Sequence, residues 1–272
     1  MHVHYLDPHR SLESPVHALD GRVKFILTVA FILTASLTPY AAWPVYILLL
    51  ATIMSVEILS RLGIGYVQRR ASLALPFVLA ALPLVFSIEG TNLFTMRLGS
   101  WTATASLEGL ERFISVGLKS WLSIQAAIVL TSSTSFPDLL QAMRAVRLPR
   151  LLVAMFGLMW RYLFVLADEA VRLIRARAAR SGRPAPSAGG AGPRPMPRLA
   201  WRAGVAGGMA GNLFLRAFDR SDRIYGAMLS RGYDGEVRSL PNSPLSLSAW
   251  LTLAGGLTLL AFLLSLGALF GG

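Results

Sequence analysis

Cysteine is absent from this chain of 272 residues, and charged residues make up only 15% of it. The missing cysteine excludes disulfide bonds, thiolate catalysis and cysteine-ligated zinc. A soluble domain carries about a quarter charged residues, so the low charged fraction and the mean hydropathy of +0.55 indicate a membrane protein. The only histidines precede residue 18. His2 and His4 could form a weak metal pair, but a solvated tail is the favoured interpretation.

Long apolar runs are present instead, several of them near the ~20 residues that a bilayer span needs. The alternating pattern of membrane β-strands is absent. The sequence therefore predicts an all-α, polytopic helical membrane protein. We expect about five transmembrane helices and a cytoplasmic coupling domain of about three helices, two of them long. The predicted spans are residues 23–39, 43–60, 71–88, 113–130 and 245–270.

The distribution of basic residues orients these spans, because cytoplasmic loops carry an excess of Lys and Arg. Arg61, Arg69 and Arg70 follow the second span, whereas residues 89–111 contain three acids and one base. The first of these loops is therefore predicted to be cytoplasmic and the second external. A multi-pass membrane protein follows, with a cytoplasmic amino terminus (1–22), a four-span membrane domain (23–135) and an external carboxyl terminus after the final span (245–270).

Most of the positive charge lies in one segment. Residues 144–238 hold 17 of the 26 basic residues and 6 of the 14 acids, a net charge of +11. The same rule makes this segment cytoplasmic. The apolar run 151–167 within it is long enough to suggest another span, but it carries Arg161, and a charge at the bilayer centre costs about 2.5–3.5 kcal/mol on insertion scales. We interpret it as part of a long cytoplasmic helix.

The cytoplasmic coupling domain is predicted to cover residues 136–240. A short helix at 137–146 precedes a long one at 148–181, and a second long helix covers about 199–229. Between the long helices, residues 183–198 are rich in Pro and Gly and read as a flexible linker. The second long helix places Arg216, Arg220 and Arg223 on one face. The opposite face is an apolar arc formed by Phe214, Phe218, Tyr225, Met228 and Leu229.

A short triplet containing one Arg ends each long helical pattern. A cation at a helix carboxyl end is favoured by the helix dipole by about 0.3–1 kcal/mol, so both could be ordinary last-turn residues. The functional interpretation is that each Arg projects between small neighbours and enters an acidic groove of a partner, because a guanidinium group binds a carboxylate in a bidentate manner. The candidate coupling residues are Ala179, Arg180, Ser181, Ser230, Arg231 and Gly232.

At this point the chain resembles the transmembrane T component of energy-coupling factor (ECF) transporters, and within it the cobalt branch, CbiQ. Residues 14–24 (SPVHALDGRVK) are similar to the amino-terminal signature of that family. Residues 136–140 (FPDLL), followed by Leu148-Pro149, resemble the entry to its coupling domain. The two triplets resemble its paired Ala-Arg-Gly-type motifs, with Ser in place of Gly in the first and Ser in place of Ala in the second.

The resemblance implies a non-catalytic scaffold in the bacterial inner membrane. Its expected partners are two cytoplasmic ABC ATPase subunits (CbiO-like) and a membrane substrate-binding S component (CbiM-like, with a CbiN-like small subunit as a further candidate). ATP would be used by those partners, and the chain itself is expected to bind no cofactor. The sequence contains no G-x-x-x-x-G-K-[ST] phosphate loop. Cobalt is the expected substrate, with nickel or a vitamin as alternatives.

Two other classes of function compete with this interpretation. A self-contained channel or carrier needs ionisable groups inside the membrane, and Lys119 and Glu57 are the candidates. Lys119 could instead reach the outer surface, and Glu57 could pair with Arg61 or Arg69. A membrane-anchored binder of nucleic acid or anionic lipid would use the basic segment, but we expect no nucleic acid partner.

The charge distribution generates a topology prediction. A reporter fused after Gly272 should read as external, and one inserted between Ser187 and Gly192 should read as cytoplasmic, because the basic segment stays inside and one span follows it. Paired alkaline phosphatase and fluorescent protein fusions measure both positions. A cytoplasmic carboxyl terminus would contradict the five-span arrangement.

Overall fold

A computed structural model describes residues 10, 12–88, 91–98, 101–180, 198–235 and 244–270. Contacts divide the chain into two compact units, Met1–Arg147 with Asn242–Gly272, and Leu148–Pro241. The described residues form eleven α-helices and one two-stranded hairpin. The helices are α1 (Pro15–Ala18), α2 (Gly21–Leu37), α3 (Trp43–Ser60), α4 (Ile64–Ala71), α5 (Leu75–Leu79), α6 (Leu84–Ser87), α7 (Leu107–Ser133), α8 (Phe136–Ala145), α9 (Arg150–Arg180), α10 (Arg198–Leu229) and α11 (Leu247–Phe270), and the strands are β1 (Asn92–Leu98) and β2 (Trp101–Ser106).

The predicted helical membrane architecture is confirmed. By length and composition, α3, α7, α9 and α11 could each cross a bilayer. Three of them coincide with predicted spans, and α2, at 17 residues, covers the first predicted span. The fourth candidate, α9, contains the run 151–167 that the sequence analysis assigned to the cytoplasm. That assignment stays a prediction.

The prediction of one continuous helix over residues 71–88 is wrong. The chain forms a 3-10 turn at Ser72–Ala74 and then the short helices α5 and α6. Pro76 and Pro83 lie in this stretch, and proline removes a backbone donor and clashes with the preceding turn. Between them the backbone makes bonds to the third residue back, such as Ala81 N–H to the Val78 carbonyl at 3.0 Å.

The predicted external loop 89–111 also differs from expectation. Strands β1 and β2 pair in antiparallel fashion, with Thr95 opposite Thr104 and Leu98 opposite Trp101. Helix α7 begins directly after β2, and the Ser106 hydroxyl caps it by accepting from Gly109 N–H at 3.1 Å. The residues of β2 (WTATAS) alternate between apolar and polar, the pattern of a half-buried strand, but the sequence analysis treated the segment as a loop.

The core of the first unit lies where α2, α3, α7 and α11 meet. It is a cluster of buried apolar side chains: Phe31, Ala35, Ala42, Val45, Tyr46, Leu49, Ile53, Leu122, Ala126, Leu260 and Leu263. The short helix α8 packs against α2 in the same unit. The second unit thus begins at Leu148, whereas the sequence analysis began the coupling domain at residue 136. The functional division itself stays a prediction.

Two lysines join α2 and α7 at their opposite ends. Lys24, near the start of α2, donates to the carbonyl of Ser133, the last residue of α7, at 2.9 Å. Lys119, on α7, donates to the carbonyl of Ser36 in the last turn of α2 at 3.0 Å. Each ammonium group therefore meets the carboxyl end of the other helix, where unpaired carbonyls and the helix dipole favour a cation.

The contact between α6 and α7 generates a stability prediction. A Cβ at Gly109 would lie 2.8 Å from both the Ser106 hydroxyl and the Val85 carbonyl. We expect Gly109→Ala to lower the free energy of unfolding by about 1–3 kcal/mol, the usual cost of overpacking. Thermal unfolding in detergent, followed by tryptophan fluorescence, measures the change. Gly65→Ala is the control, because nothing lies within 4 Å of its added Cβ. Equal melting temperatures for the two variants would contradict this close approach.

Candidate coupling site

The candidate coupling residues lie in the second unit, which consists of two long helices. Helix α9 has 31 residues and α10 has 32, so each is about 46–48 Å long. The predicted linker 183–198 lies outside the described residues, except for Arg198, with which α10 begins. Both helices are long enough to carry a displacement at one end across the whole unit.

The first triplet lies at the carboxyl end of α9. Ala179 and Arg180 are exposed and are the last two residues of the helix, and Ser181 lies outside the described residues. One turn earlier, the Arg177 guanidinium lies 5.6 Å from the ring centroid of Trp201 on α10. The two arginines of this last turn therefore differ, because Arg177 contacts the neighbouring helix and Arg180 is exposed.

The second triplet closes α10 through its backbone. Gly232 has a φ of 77°, in the left-handed region, where a residue with a Cβ is disfavoured. The N–H of Tyr233 donates to the Met228 carbonyl at 3.0 Å, and that of Gly232 to the Leu229 carbonyl at 2.9 Å. This pair of bonds defines a Schellman motif with glycine at its left-handed position. The left-handed position of this turn thus explains why the triplet ends in glycine.

Arg231 and Ser230 occupy the exposed outer side of this turn. The Ser230 hydroxyl donates to the Ala227 carbonyl at 2.9 Å. The Arg231 N–H donates to the Met228 carbonyl at 3.1 Å. Because the backbone alone closes the helix, the Arg231 side chain is not required to end it.

Helices α9 and α10 face each other across an apolar groove of about 500 Å³. Leu158, Tyr162 and Leu166 line it from α9, and Ile224 and Met228 line it from α10. Tyr233 also lines this groove, so the turn after α10 folds back over it. A hydrophobic contact of this kind commonly accompanies a Schellman motif, and here it connects the second triplet to the packing between the helices.

A charge cluster joins the two helices near their middles. Glu169 on α9 accepts from Arg216 Nη1 at 3.1 Å, and its other oxygen lies 3.6 Å from Arg220 Nη2. The Glu169 side chain is 12% exposed, whereas Arg216 is 61% and Arg220 35% exposed. The sequence analysis placed these arginines on a polar face opposite the apolar arc but missed Glu169. Its partners lie 47 and 51 residues away along the chain, so only the crossing of the helices reveals the cluster.

The apolar arc of α10 divides into two parts, since Tyr225 and Met228 line the groove and Phe214 and Phe218 do not. The rings of Phe214 and Phe218 stack with centroids 6.4 Å apart, and these side chains are 68% and 56% exposed. On α9, Leu151, Met155 and Met159 lie four residues apart and are 56–61% exposed. Contiguous exposed apolar side chains of this kind mark contact surfaces for a protein or a membrane.

The two candidate channel residues, Lys119 and Glu57, lie in different surroundings in the first unit. Lys119 is held by the carboxyl end of α2 and lies 4.6 Å from the Tyr40 ring centroid. Glu57 is fully buried on α3, and neither carboxylate oxygen has a hydrogen-bond partner among the described residues. The ion pair with Arg61 or Arg69 that the sequence suggested is not among the ion pairs of the described residues. Lys119 thus has a structural role.

A family model described as cobalt transport protein CbiQ matches residues 13–242 of this chain. The chain belongs to the CbiQ cobalt transport protein family. It is therefore a cobalt transport component and, given its membrane-spanning helices, a multi-pass membrane protein. The matched region includes both triplets and ends before α11.

Individual relatives agree with this assignment. The chain is 27% identical over 219 residues to the cobalt transport protein CbiQ of Rhodobacter capsulatus, covering 80% of this chain and 82% of the relative. It is 26% identical over 163 residues to CbiQ of Salmonella typhimurium, covering 58% and 72%. An uncharacterised protein of Methanocaldococcus jannaschii is 21% identical over 244 residues, covering 87% and 77%.

The charge cluster generates a prediction about the geometry of α9 and α10. Glu169→Gln removes the negative charge that both arginines share, so the distance between the helices should become more variable. Because the chain has no cysteine, single cysteines can be introduced at exposed Arg172 and Ala210 for paired spin labels. Pulsed electron resonance should then show a broader distance distribution than in the parent protein.

Asp168→Asn is the matched control, since Asp168 is the neighbouring acid and is exposed. The effect on stability should be small, about 1 kcal/mol or less, because the arginines are partly solvated. Identical distributions for Glu169→Gln and Asp168→Asn would contradict a role for Glu169 in joining the helices.

Proposed function

We propose that this chain is the transmembrane coupling subunit of an ECF-type cobalt importer. It would transmit the motion of two cytoplasmic ABC ATPase subunits to a membrane subunit that binds the substrate. ATP is used by those ATPases, and this chain performs no catalysis. The observation that carries the proposal is that two long helices, joined near their middles, each end in an exposed Arg between small residues.

The helix ends supply the contacts with the ATPases. Arg180 and Arg231 are exposed, and each can enter an acidic groove as a planar donor that binds a carboxylate through two parallel hydrogen bonds. A hydrogen bond to a charged group contributes about 1.5–3 kcal/mol. Two such ends suit two ATPase subunits, one for each long helix.

The joined helices supply the mechanical link. The groove packing and the Glu169 cluster hold α9 against α10. Displacing the end of one helix therefore displaces the other, provided that each helix moves as a rigid body. Ordinary intramolecular packing accounts for the groove and the Glu169 cluster. The helix dipole alone favours a cation at each helix end, but it does not account for matching small-residue triplets at both ends.

The exposed apolar stripe on α9 supports a contact with the substrate-binding subunit. Leu151, Met155 and Met159 form a continuous face at four-residue spacing, and a membrane partner offers apolar side chains to cover it. The flexibility and polarisability of methionine suit a surface that must repack as the partner reorients. The partner would be CbiM-like, with a CbiN-like small subunit as a further candidate.

The two alternative functions have less support. A self-contained channel or carrier would need Lys119 and Glu57 on its path, but Lys119 is bound to a helix end and Glu57 is buried. A nucleic acid binder would need free basic residues, but Arg216 and Arg220 of α10 are paired with Glu169. Nickel and vitamins stay possible substrates for the complex, and the family assignment favours cobalt. Competition of cobalt uptake by nickel in cells that express the whole transporter distinguishes the metals.

The test is charge reversal at the two helix ends. Arg180→Glu or Arg231→Glu should each lower affinity for the ATPases about 10- to 100-fold, and the double variant should abolish association and cobalt uptake. The protein should still insert and fold, because both residues lie at exposed helix ends. Co-purification of the ATPase subunits and uptake of radioactive cobalt are the measurements.

Matched controls are Arg175→Glu on α9 and Arg223→Glu on α10, both exposed and both one to two turns before the ends. Arg216 is unsuitable as a control, because its reversal would break the contact with Glu169. Wild-type association and uptake in the double variant, or an equal loss in the controls, would refute the assignment of these residues as coupling ends.

A further inference from the structure

A groove in the membrane unit is unrelated to the coupling residues. It has a volume of about 330 Å³ and is formed by α2, α3, α7 and α11, with α1 at one end. Its lining is dominated by large apolar side chains, among them Leu27, Phe31, Val56, Leu59, Leu130 and Leu259. Lys24 lies at the end next to α1, whereas Phe31 lies two helical turns further along α2.

Three of the hydroxyl groups in the wall, those of Thr52, Ser55 and Ser133, donate to carbonyls of their own helices. Thr52 donates to the Leu48 carbonyl at 2.8 Å, and Ser55 donates to the Ala51 carbonyl at 2.7 Å, both within α3. The wall therefore presents little hydrogen-bonding capacity. An ordered water needs two to four polar partners, so the groove suits an apolar occupant.

The volume of the groove limits what that occupant can be. A helix with its side chains is about 10–12 Å across, so one 5.4 Å turn occupies roughly 500 Å³, more than the 330 Å³ of the groove. A single extended hydrocarbon chain can lie in it. In a bilayer such a chain is available from every neighbouring lipid, and a crevice between spans is in contact with lipid throughout the life of the protein.

The Lys24 end of the groove carries charges of both signs. The Lys24 ammonium donates to the carbonyls of Ser133 at 2.9 Å and of His17 at 3.3 Å, and an ammonium has three donors. It also interacts electrostatically with Asp138 and Asp20. Asp20 is further engaged by Arg22, whose Nε lies 3.6 Å from it. A headgroup at this end therefore meets cations and carboxylates in equal number.

We infer that the groove binds one acyl chain of a zwitterionic amine phospholipid, with its phosphate at Lys24 and its ammonium at Asp138. A purely anionic headgroup would be attracted by Lys24 and Arg22 but repelled by Asp20 and Asp138, whereas a zwitterion can pair with both signs. The inference rests on the membrane location of this unit and is independent of any contact with ATPases. A lipid in this position would pack against four helices of the unit at once.

The test uses the full chain, purified and placed in nanodiscs that contain photoactivatable phosphatidylethanolamine with a diazirine on its acyl chain. Irradiation and peptide mapping should locate the label on residues 52–59 of α3 and 256–260 of α11. Ser55→Trp fills the groove and should lower this labelling several-fold. Ile58→Trp is the control, because this residue is 61% exposed on the same helix and does not line the groove.

The headgroup assignment is tested by replacing the probe with photoactivatable phosphatidylglycerol. The anionic probe should label the parent protein several-fold less than the zwitterionic probe does. Asp138→Asn removes one carboxylate and should therefore bring the labelling by the two probes closer together. Asp138 is also suitable because its side chain is exposed and, among the described residues, accepts a hydrogen bond from the neighbouring Ser135 hydroxyl at 2.6 Å. Lys24→Gln should lower labelling with both probes.

Several results would overturn the inference. Labelling of the groove that is unaffected by Ser55→Trp would show that the acyl chain does not lie there. Equal labelling by the two probes in the parent protein would refute the zwitterionic headgroup. In the assembled transporter, cross-links from this groove to a membrane partner in place of lipid would show that a protein segment is the occupant.

Discussion

The reciprocal bonds between α2 and α7 are the interaction on which the membrane unit depends. Lys24 binds the carboxyl end of α7, and Lys119 binds the carboxyl end of α2. The pairing fixes both the antiparallel direction and the axial register of the two helices, because a shift by one turn would separate both ammonium groups from their carbonyls. Helices α3, α8 and α11 then pack against one or both members of this pair.

The same arrangement accounts for a lysine that would otherwise suggest transport. An ionisable residue within a span is a functional candidate by default, because placing a charge in the bilayer is costly. Lys119 lowers this cost by binding a carbonyl that the helix itself cannot satisfy. Glu57 is the opposite case. It is buried without a polar partner among the described residues, and the structure offers no physical account of its carboxylate.

The second unit combines two kinds of polar contact with different purposes. Glu169 is nearly enclosed and joins two helices, whereas Arg180 and Arg231 are exposed at helix ends. The exposed residues carry the proposed partner recognition, and the enclosed one supports the proposed transmission of movement. Separating these tasks lets a partner exert force on the ends without competing for the charges that hold the unit together.

Sequence reasoning succeeded where one local rule dominates. The second span was predicted at 43–60 and observed at Trp43–Ser60, because a long apolar run between breakers leaves few alternatives. The short helix predicted at 137–146 is observed as α8, and the Ser135 hydroxyl caps it by accepting from Asp138 N–H. The rule failed at 71–88, where apolar composition favours a span and two prolines oppose a continuous helix. Apolar composition indicates whether a segment can lie in a membrane, whereas its backbone hydrogen bonds decide whether it forms one continuous helix.

The site shows the same division between local and distant information. The two triplets could be found because their motif is short and contiguous. Glu169 could not, since nothing near it in sequence distinguishes it from Asp168, and its role arises only from the crossing of α9 and α10. The apolar arc of α10 was visible as a pattern, but the sequence could not tell that Phe214 and Phe218 would lie outside the groove between the helices.

The turn that ends α10 has a consequence for how such a subunit can change its partners. Gly232 and two backbone bonds close the helix, so the side chain at position 231 contributes nothing to ending it. If the tip binds an ATPase subunit as proposed, recognition and folding are encoded by adjacent but separate residues. A substitution at 231 would then alter what the tip presents while leaving the backbone of the turn unchanged, and each such step would preserve a folded protein.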